Sequence, residues 1–315
     1  VDRRGIRAGL MRYAAIDIGT NTILMLIAEL GGDGGLTVIR DEHAIPRLGR
    51  ATDASRTISS DSLDRALSVL HSYRELTLEL QCNKVVVCGT SALRDAVNRE
   101  EVRARIERDL GWNVRVLSGE EEALLTYRGA ISSHQDETGP CIVVDIGGGS
   151  TEVIEGIGKR VVDARSHDVG AVRLTERLLK LLPANPEQIE AAKSEIRTTL
   201  PARIPLQGGT RVIGVAGTPT TIAAWDLGLH TFDARRINGH VLTREAIARF
   251  VAQISPCSLE EILAFPPIAP QRADVILAGS LILQEFLHVC GASEIEVSTR
   301  GLRYGILLDA AEHRP

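Results

Sequence analysis

The stretch VDIGGGSTE at residues 144–152 restates an earlier one, AIDIGTNT at 15–22. Each is a short apolar run, then an aspartate, then glycine and small hydroxyl residues. A second apolar run follows each turn: TILMLIAEL over 22–30 and STEVIEG over 150–156. Short apolar runs bounded by glycine read as strands, so each copy is strand, tight turn, strand. Two such units, opening the first and second parts of the chain, call for a duplicated α/β architecture with a pair of related loops facing one ligand.

The remaining pattern supports the duplication. In the first part LTVIRDEH (36–43) is a third strand, and leucines at 63, 67 and 70 carry helical spacing. KVVVCG (84–89) is a buried strand, NREEVRARIERDLG a helix ending at Gly111, NVRVLSG a strand, and a helix follows over about 120–131. In the second part CIVVDI (141–146), STEVIEG and RVVDARSHDV are strands. Helices are expected over about 171–182 and 186–200, divided by Pro183 and Pro186. TRVIGVAGT (210–218) runs from strand into a glycine turn. RADVILAGSLILQEFLHVCG is a long buried helix, EIEVS a strand and GLRYGILLDAA a final helix. The polar, turn-rich SSHQDETGP (132–140) divides a first domain, 11–131, from a second, 132–301; the last helix, about 302–315, is able to pack back on the first. Residues 1–10 read as a disordered leader.

Composition excludes several classes. With 315 residues and 44% hydrophobic content the chain can bury a sizeable core. A net charge of −5 argues against a general nucleic-acid binder, so any polyanion site is local. The five cysteines, at 82, 88, 141, 257 and 290, have no paired spacing and read as buried thiols of a reducing, cytoplasmic compartment. No apolar run reaches the roughly 20 residues of a membrane helix. The histidines show no ligand spacing, and neither His167 nor His240 carries a strong argument for a place near the cleft.

Turns of small residues let backbone N–H groups point into a cleft and bind phosphate oxygens. Here the donors would come from Gly19, Thr20, Asn21 and Thr22, and from Gly147, Gly148, Gly149 and Ser150. Asp17 and Asp145, each just before a turn, accept only when ionised; they can hold Mg²⁺, or a water that does. No G-K-[ST] follows, so neither turn is a Walker A loop, and a strand rather than a helix comes next, so neither is a Rossmann turn.

DIGTNT and DIGGGSTE resemble the two phosphate motifs of the actin, sugar kinase and heat-shock chaperone ATPase superfamily. Together with TSALRDAVN, SGEEEA and GVAGTPTTIAA, they resemble the exopolyphosphatase and guanosine pentaphosphate phosphohydrolase family from about Met11 to Leu308. The resemblance implies an α/β fold of two actin-like (ribonuclease H-like) domains, each a mixed five-stranded sheet flanked by helices, around a central cleft. It also implies hydrolysis of a terminal phosphoanhydride, with inorganic polyphosphate or guanosine pentaphosphate as substrate, and a homodimer.

LSGEEEALLTYRG holds three successive glutamates. Ser118 with Glu121 three residues on is a capping box, which occupies Glu121. Glu120 falls in the first turn, favoured by the helix dipole. Glu122 is left to project into the cleft, and the resemblance marks the same residue as the group that orients and deprotonates water. It marks Glu152 as catalytic too, through water or metal. Two carboxylates beside a polyanion repel it unless a cation intervenes, so Mg²⁺ is expected, held by Asp17, Asp145 and Glu152. Arg94 in TSALR matches a cleft position of the family; Arg272 and Arg303 are further candidates for phosphate, each with a surface salt bridge as the alternative. Gly217 and Thr218 line the cleft if GVAGTPTTIAA serves as the superfamily's third glycine motif. Two other readings are a kinase of the same superfamily, which lacks support from any sugar-binding signature, and a non-catalytic sensor, which would be expected to have lost Glu122 or Glu152.

Overall fold

The computed structural model describes residues 11–31, 36–133, 138–200, 204, 206 and 208–312. The leader expected over 1–10 lies outside these residues, as do 313–315 at the end of the last helix and 134–137 within the expected boundary.

The chain runs β1 (Met11–Ile18), β2 (Ile23–Leu30), β3 (Leu36–Ala44), α1 (Thr52–Ser55), α2 (Ser60–Glu79), β4 (Lys84–Gly89), α3 (Ser91–Asp95), α4 (Arg99–Leu110), β5 (Val114–Val116) and α5 (Gly119–Ala130). After the crossing come β6 (Pro140–Ile146), β7 (Thr151–Ile157), β8 (Arg160–His167), α6 (Ala171–Leu178), α7 (Pro186–Thr199), β9 (Arg211–Val215) and α8 (Gly217–Asp226). Then follow α9 (Ala234–Ile237), β10 (Val241–Thr243), α10 (Arg244–Ile254), α11 (Leu259–Leu263), α12 (Ile276–Cys290), β11 (Glu294–Val297) and α13 (Leu302–Glu312).

The first sheet has the order β3-β2-β1-β4-β5 and the second β10-β11-β9-β6-β7-β8. Set aside β10 and the second order, read from its other edge, is β8-β7-β6-β9-β11: the same arrangement as the first. In both sheets the first two pairings are antiparallel and the next two parallel. The duplication seen in the turns thus extends through whole sheets. The second sheet departs from the five strands expected, because β10 pairs antiparallel with β11 and adds a sixth at the edge. The central strands are covered on both faces, which is why β1 and β6 read as unbroken apolar runs rather than alternating ones.

Local signals set most boundaries. Gly111 caps α4 with φ 71°, a left-handed conformation that favours glycine. Asn185 and Gln188 form a capping box at the start of α7, with Pro186 in the first turn. Helix α6 ends at Leu178, short of the expected 182, as the chain turns toward Pro183.

The last helices of the two halves are exchanged. Helix α13 lies on the first sheet, where Leu302, Ile306 and Leu307 join Tyr13, Ala15, Leu26 and Cys88 in one buried cluster. Helix α5 buries Ala123, Tyr127 and Ala130 against Val143, Ile154 and Val215 of the second sheet. The two helices meet each other closely: a Cβ at Gly129 would strike the Gly301 carbonyl, and one at Gly305 the Leu125 carbonyl. Ser118 accepts from the Glu121 N–H at 3.1 Å, while Glu121 accepts from the Ser118 N–H at 2.8 Å, so α5 starts as its sequence indicates. This exchange carries Glu122, a residue of the first half, onto the second sheet.

Candidate active site

Each glycine turn is closed by the same backbone bond. Gly19 N–H donates to Thr22 O at 2.9 Å, and Gly147 N–H donates to Ser150 O at 3.0 Å. The turns touch one another across the halves. A Cβ on Gly148 would lie 3.1 Å from the Thr20 Cβ, and one on Gly149 would meet the hydroxyls of Ser91 and Thr20. Only glycine allows this approach, since any side chain on either would force the turns apart.

Beneath the turns, the strand ends collect acids. Asp17 and Asp145 close β1 and β6, and the register of β6 with β7 sets Asp145 directly opposite Glu152. Opposed residues on paired strands stand with their Cβ atoms only about 4.5–5.5 Å apart, so two acids there interact strongly. Ser166 of β8 donates to Glu152 Oε1 at 2.7 Å, and Ser150 donates to the same carboxylate. Thr126 of α5 reaches Asp145 Oδ2 at 3.4 Å. Glu122 is buried and takes a 2.7 Å ion pair from Arg94 Nη1, which also donates to the Leu117 carbonyl at 3.1 Å. Of its neighbours, Glu121 is held in the capping box and by Arg115, and Glu120 is exposed.

Burial is the main cause that raises all four acids above their ordinary range. Asp17 is pushed up to about 7, with Glu152 adding to the effect and Arg303 opposing it. Asp145 and Glu122 are pushed well up, each by burial and then by the charge of Glu152. Glu152 is raised by burial, against the pull of its two serine bonds and Arg94. These groups face one another across a dry site, so they share protons or an added cation rather than all carrying charge.

The donor set suits a hard divalent cation. Asp17 Oδ1 is buried with no hydrogen-bond partner, and the acids that act on it and on Asp145 offer oxygen ligands. Among the described residues no three acidic, histidine or cysteine side chains stand close enough to cage a metal by themselves. Mg²⁺ needs no such cage, since it takes one or two carboxylates and completes its shell with water and substrate phosphate.

The candidate cations separate clearly. Arg303 is spent: it makes a two-pronged pair with Asp41 at 2.8 and 2.9 Å and lies over the Tyr304 ring. Arg272 has no acidic partner among the described residues. Its guanidinium lies across Gly217, where a Cβ would collide with it, at the N-terminus of α8. Burial lowers Arg272 to about 10, with no charged neighbour offsetting it. A cation set against the positive end of a helix dipole calls for an anion between them. Ala216, just before α8, holds φ 72°, an uncommon conformation for a residue with a side chain and a mark of strain at a site.

Thr218, in the first turn of α8, has its side chain buried against Gly279 of α12, where a Cβ on that glycine would meet its hydroxyl. His240 pairs with Asp226 at 2.9 Å, at the opposite end of α8 from Gly217. His167 bonds the Thr199 carbonyl at 3.0 Å through Nδ1, while its Nε2 is buried without a partner. The structure adds Thr126, Ser166 and His43, which no motif singled out, and Ser91, which lies inside TSALRDAVN. Strand register brings in Ser166, and helix exchange brings in Thr126.

The model of the Ppx/GppA phosphatase family matches residues 26–314. The chain belongs to the Ppx/GppA phosphatase family. Within it, the chain is 34% identical to Exopolyphosphatase 2 of Mycobacterium tuberculosis, over 96% of this chain and 99% of that one. The crystal structure of the Aquifex aeolicus Ppx/GppA family member superposes with a TM-score of 0.81 at 31% identity, covering 98% of this chain and 100% of that one. An exopolyphosphatase from Cytophaga hutchinsonii gives a TM-score of 0.87 at 26% identity, over 95% and 98% of the two chains. The Ppx/GppA fold accounts for the two matched sheets, and membership makes the chain a phosphoanhydride hydrolase. No helix among the described residues is long and apolar enough to cross a membrane.

Proposed function

We propose that this protein is an exopolyphosphatase, releasing orthophosphate from the end of inorganic polyphosphate. The observation that carries the reading is the buried Glu122, paired with Arg94 and close to Glu152, beside two glycine turns that meet each other. The N–H groups of Thr20–Thr22 and Gly148–Ser150 hold the terminal phosphate, those of Gly19 and Gly147 being used to close the turns, and Arg272 takes the phosphates behind it. Glu122 and Glu152 orient a water for in-line attack on the terminal phosphorus. Glu122, whose affinity for a proton is raised by burial, accepts one as the new P–O bond forms. The bridging P–O bond breaks and its electron pair stays on the shortened chain, whose new terminal oxygen meets the cations of the site. Mg²⁺, held directly by one or two of Asp17, Asp145 and Glu152 and through water by the rest, would supply charge neutralisation for the phosphates. Arg94 fixes the Glu122 carboxylate and lends its own charge to the same cleft.

Guanosine pentaphosphate presents the same terminal bond, and nothing in the turns separates the two substrates. The test is phosphate release from long-chain polyphosphate and from guanosine pentaphosphate in parallel, with Mg²⁺, for the native protein and Glu122→Gln. Release from polyphosphate that falls at least a hundredfold in the variant is expected. Tight binding with no release from either substrate would overturn the enzyme reading in favour of a sensor.

A further inference from the structure

Strand β3 carries two residues, Asp41 and His43, that face the same way, being two apart on one strand. Each meets an arginine. Asp41 neutralises Arg303 through two bonds. His43 Nε2 stands 2.7 Å from Arg272 Nη2. Arginine can only donate, so His43 accepts, which fixes a neutral imidazole with its proton on Nδ1. His43 keeps an exposed edge, yet the protein packed around its ring, and then the charges of Arg272 and Arg303, hold it below its ordinary value, in keeping with that neutral form.

The two pairs therefore differ by a full charge. Arg303 with Asp41 is electrically closed; Arg272 with His43 keeps its positive charge. The second bond also spans the halves, from β3 of the first sheet to the 3-10 turn Pro270–Arg272 of the second part. The same turn is tied down by Arg47, which donates to the Gln271 carbonyl at 2.9 Å and to Asp274 at 2.8 Å. Arg272 is thus fixed in place over Gly217 by contacts that leave its charge intact.

We propose that His43 is a positioning residue for the substrate chain: its neutral ring orients Arg272 toward the phosphates behind the scissile bond without cancelling the arginine's charge. The inference rests on the reading of Arg272 as a phosphate contact, and it makes the side chain at 43 a determinant of how strongly the cleft binds a polyanion. A carboxylate at this position would convert Arg272 into a second Arg303.

The experiment uses an isosteric pair on the full chain, His43→Gln and His43→Glu, with Arg272→Ala beside them. Steady-state kinetics on long-chain polyphosphate with Mg²⁺ give KM and kcat separately, and thermal unfolding checks each variant. Glutamine retains a neutral acceptor, and KM within about twofold of native is expected. Glutamate should raise KM about tenfold with kcat within about twofold, and weaken the dependence of KM on salt, because the charge being screened is gone. Arg272→Ala should raise KM at least as much. If Glu and Gln behave alike while Arg272→Ala raises KM, the role of His43 is wrong. If Arg272→Ala leaves KM unchanged, the reading of Arg272 itself fails. Should the glutamate variant unfold, His43→Leu removes the acceptor and adds no charge. A severalfold rise in KM with native salt dependence then supports positioning, and native KM overturns it.

Discussion

The two glycine turns are built on one plan and filled in opposite ways. Both close with a glycine N–H bonded to the carbonyl three residues on, after an aspartate that ends a central strand. At the two middle positions the first turn has Thr20 and Asn21, and the second has Gly148 and Gly149. The side chains of the first occupy the space the second leaves open, so the turns meet as a complementary pair. The residue opposite the aspartate differs too. Asp17 faces Leu24 across β2, whereas Asp145 faces Glu152 across β7. A duplicated unit has thus become a contact surface in one half and an acid cluster in the other. Symmetry of backbone places two glycine turns against one another; asymmetry of side chains sets a second acid opposite the aspartate in only one of them.

The sharpest break of this comparison is Glu152→Gln, which leaves the second turn, like the first, with its aspartate as the one acid of the opposed pair. It should lower kcat on polyphosphate by about 10²–10⁴-fold, or roughly 3–5 kcal/mol of barrier, while the fold stays intact by circular dichroism. Next is the pH response of stability. Asp17 binds its proton more tightly folded, at about 7, than unfolded. Its contribution is therefore whole below the ordinary carboxylate range and is lost as pH rises to about 7. Thermal unfolding without divalent ions should show lower stability at pH 8 than at pH 5, by an amount on the order of a few kcal/mol. Asp17→Asn should flatten that slope, and an unchanged slope would remove Asp17 from the account. The smallest effect is steric. Gly149→Ala pushes a methyl group into Ser91 and Thr20 and should cost about 1–3 kcal/mol. Asn21→Ala, at the equivalent place in the first turn, should cost less, and a Thr20→Ala change should recover part of the Gly149→Ala loss in a double-mutant cycle.

Much of this was legible in the chain itself, for definite reasons. The duplicated turn showed because strand, aspartate and glycine recur in fixed order. Ser118 and Glu121 signalled the start of α5, and by occupying Glu121 they left Glu122 as the cleft residue. What stayed hidden depends on pairing between distant segments. Ser166 reaches Glu152 only because β8 pairs with β7. Thr126 reaches Asp145 only because α5 crosses to the other sheet. His43 looks like any strand residue until Arg272 arrives from the far half. The Thr218 side chain packs on Gly279, a contact hidden in the sequence because periodicity does not tell which face of α8 meets α12. The edge strand β10 is a three-residue segment, too short to show alternation.

The exchange of α5 and α13 has a consequence for biosynthesis. The apolar face formed by Tyr13, Ala15, Leu26 and Cys88 has Leu302, Ile306 and Leu307 among its cover. A nascent chain that has made every strand of the first sheet therefore has Leu117 and Leu125 over that face but lacks the rest of its cover until residues 302–307 have been translated. The core of the first sheet is completed by one of the last segments of the chain to be made.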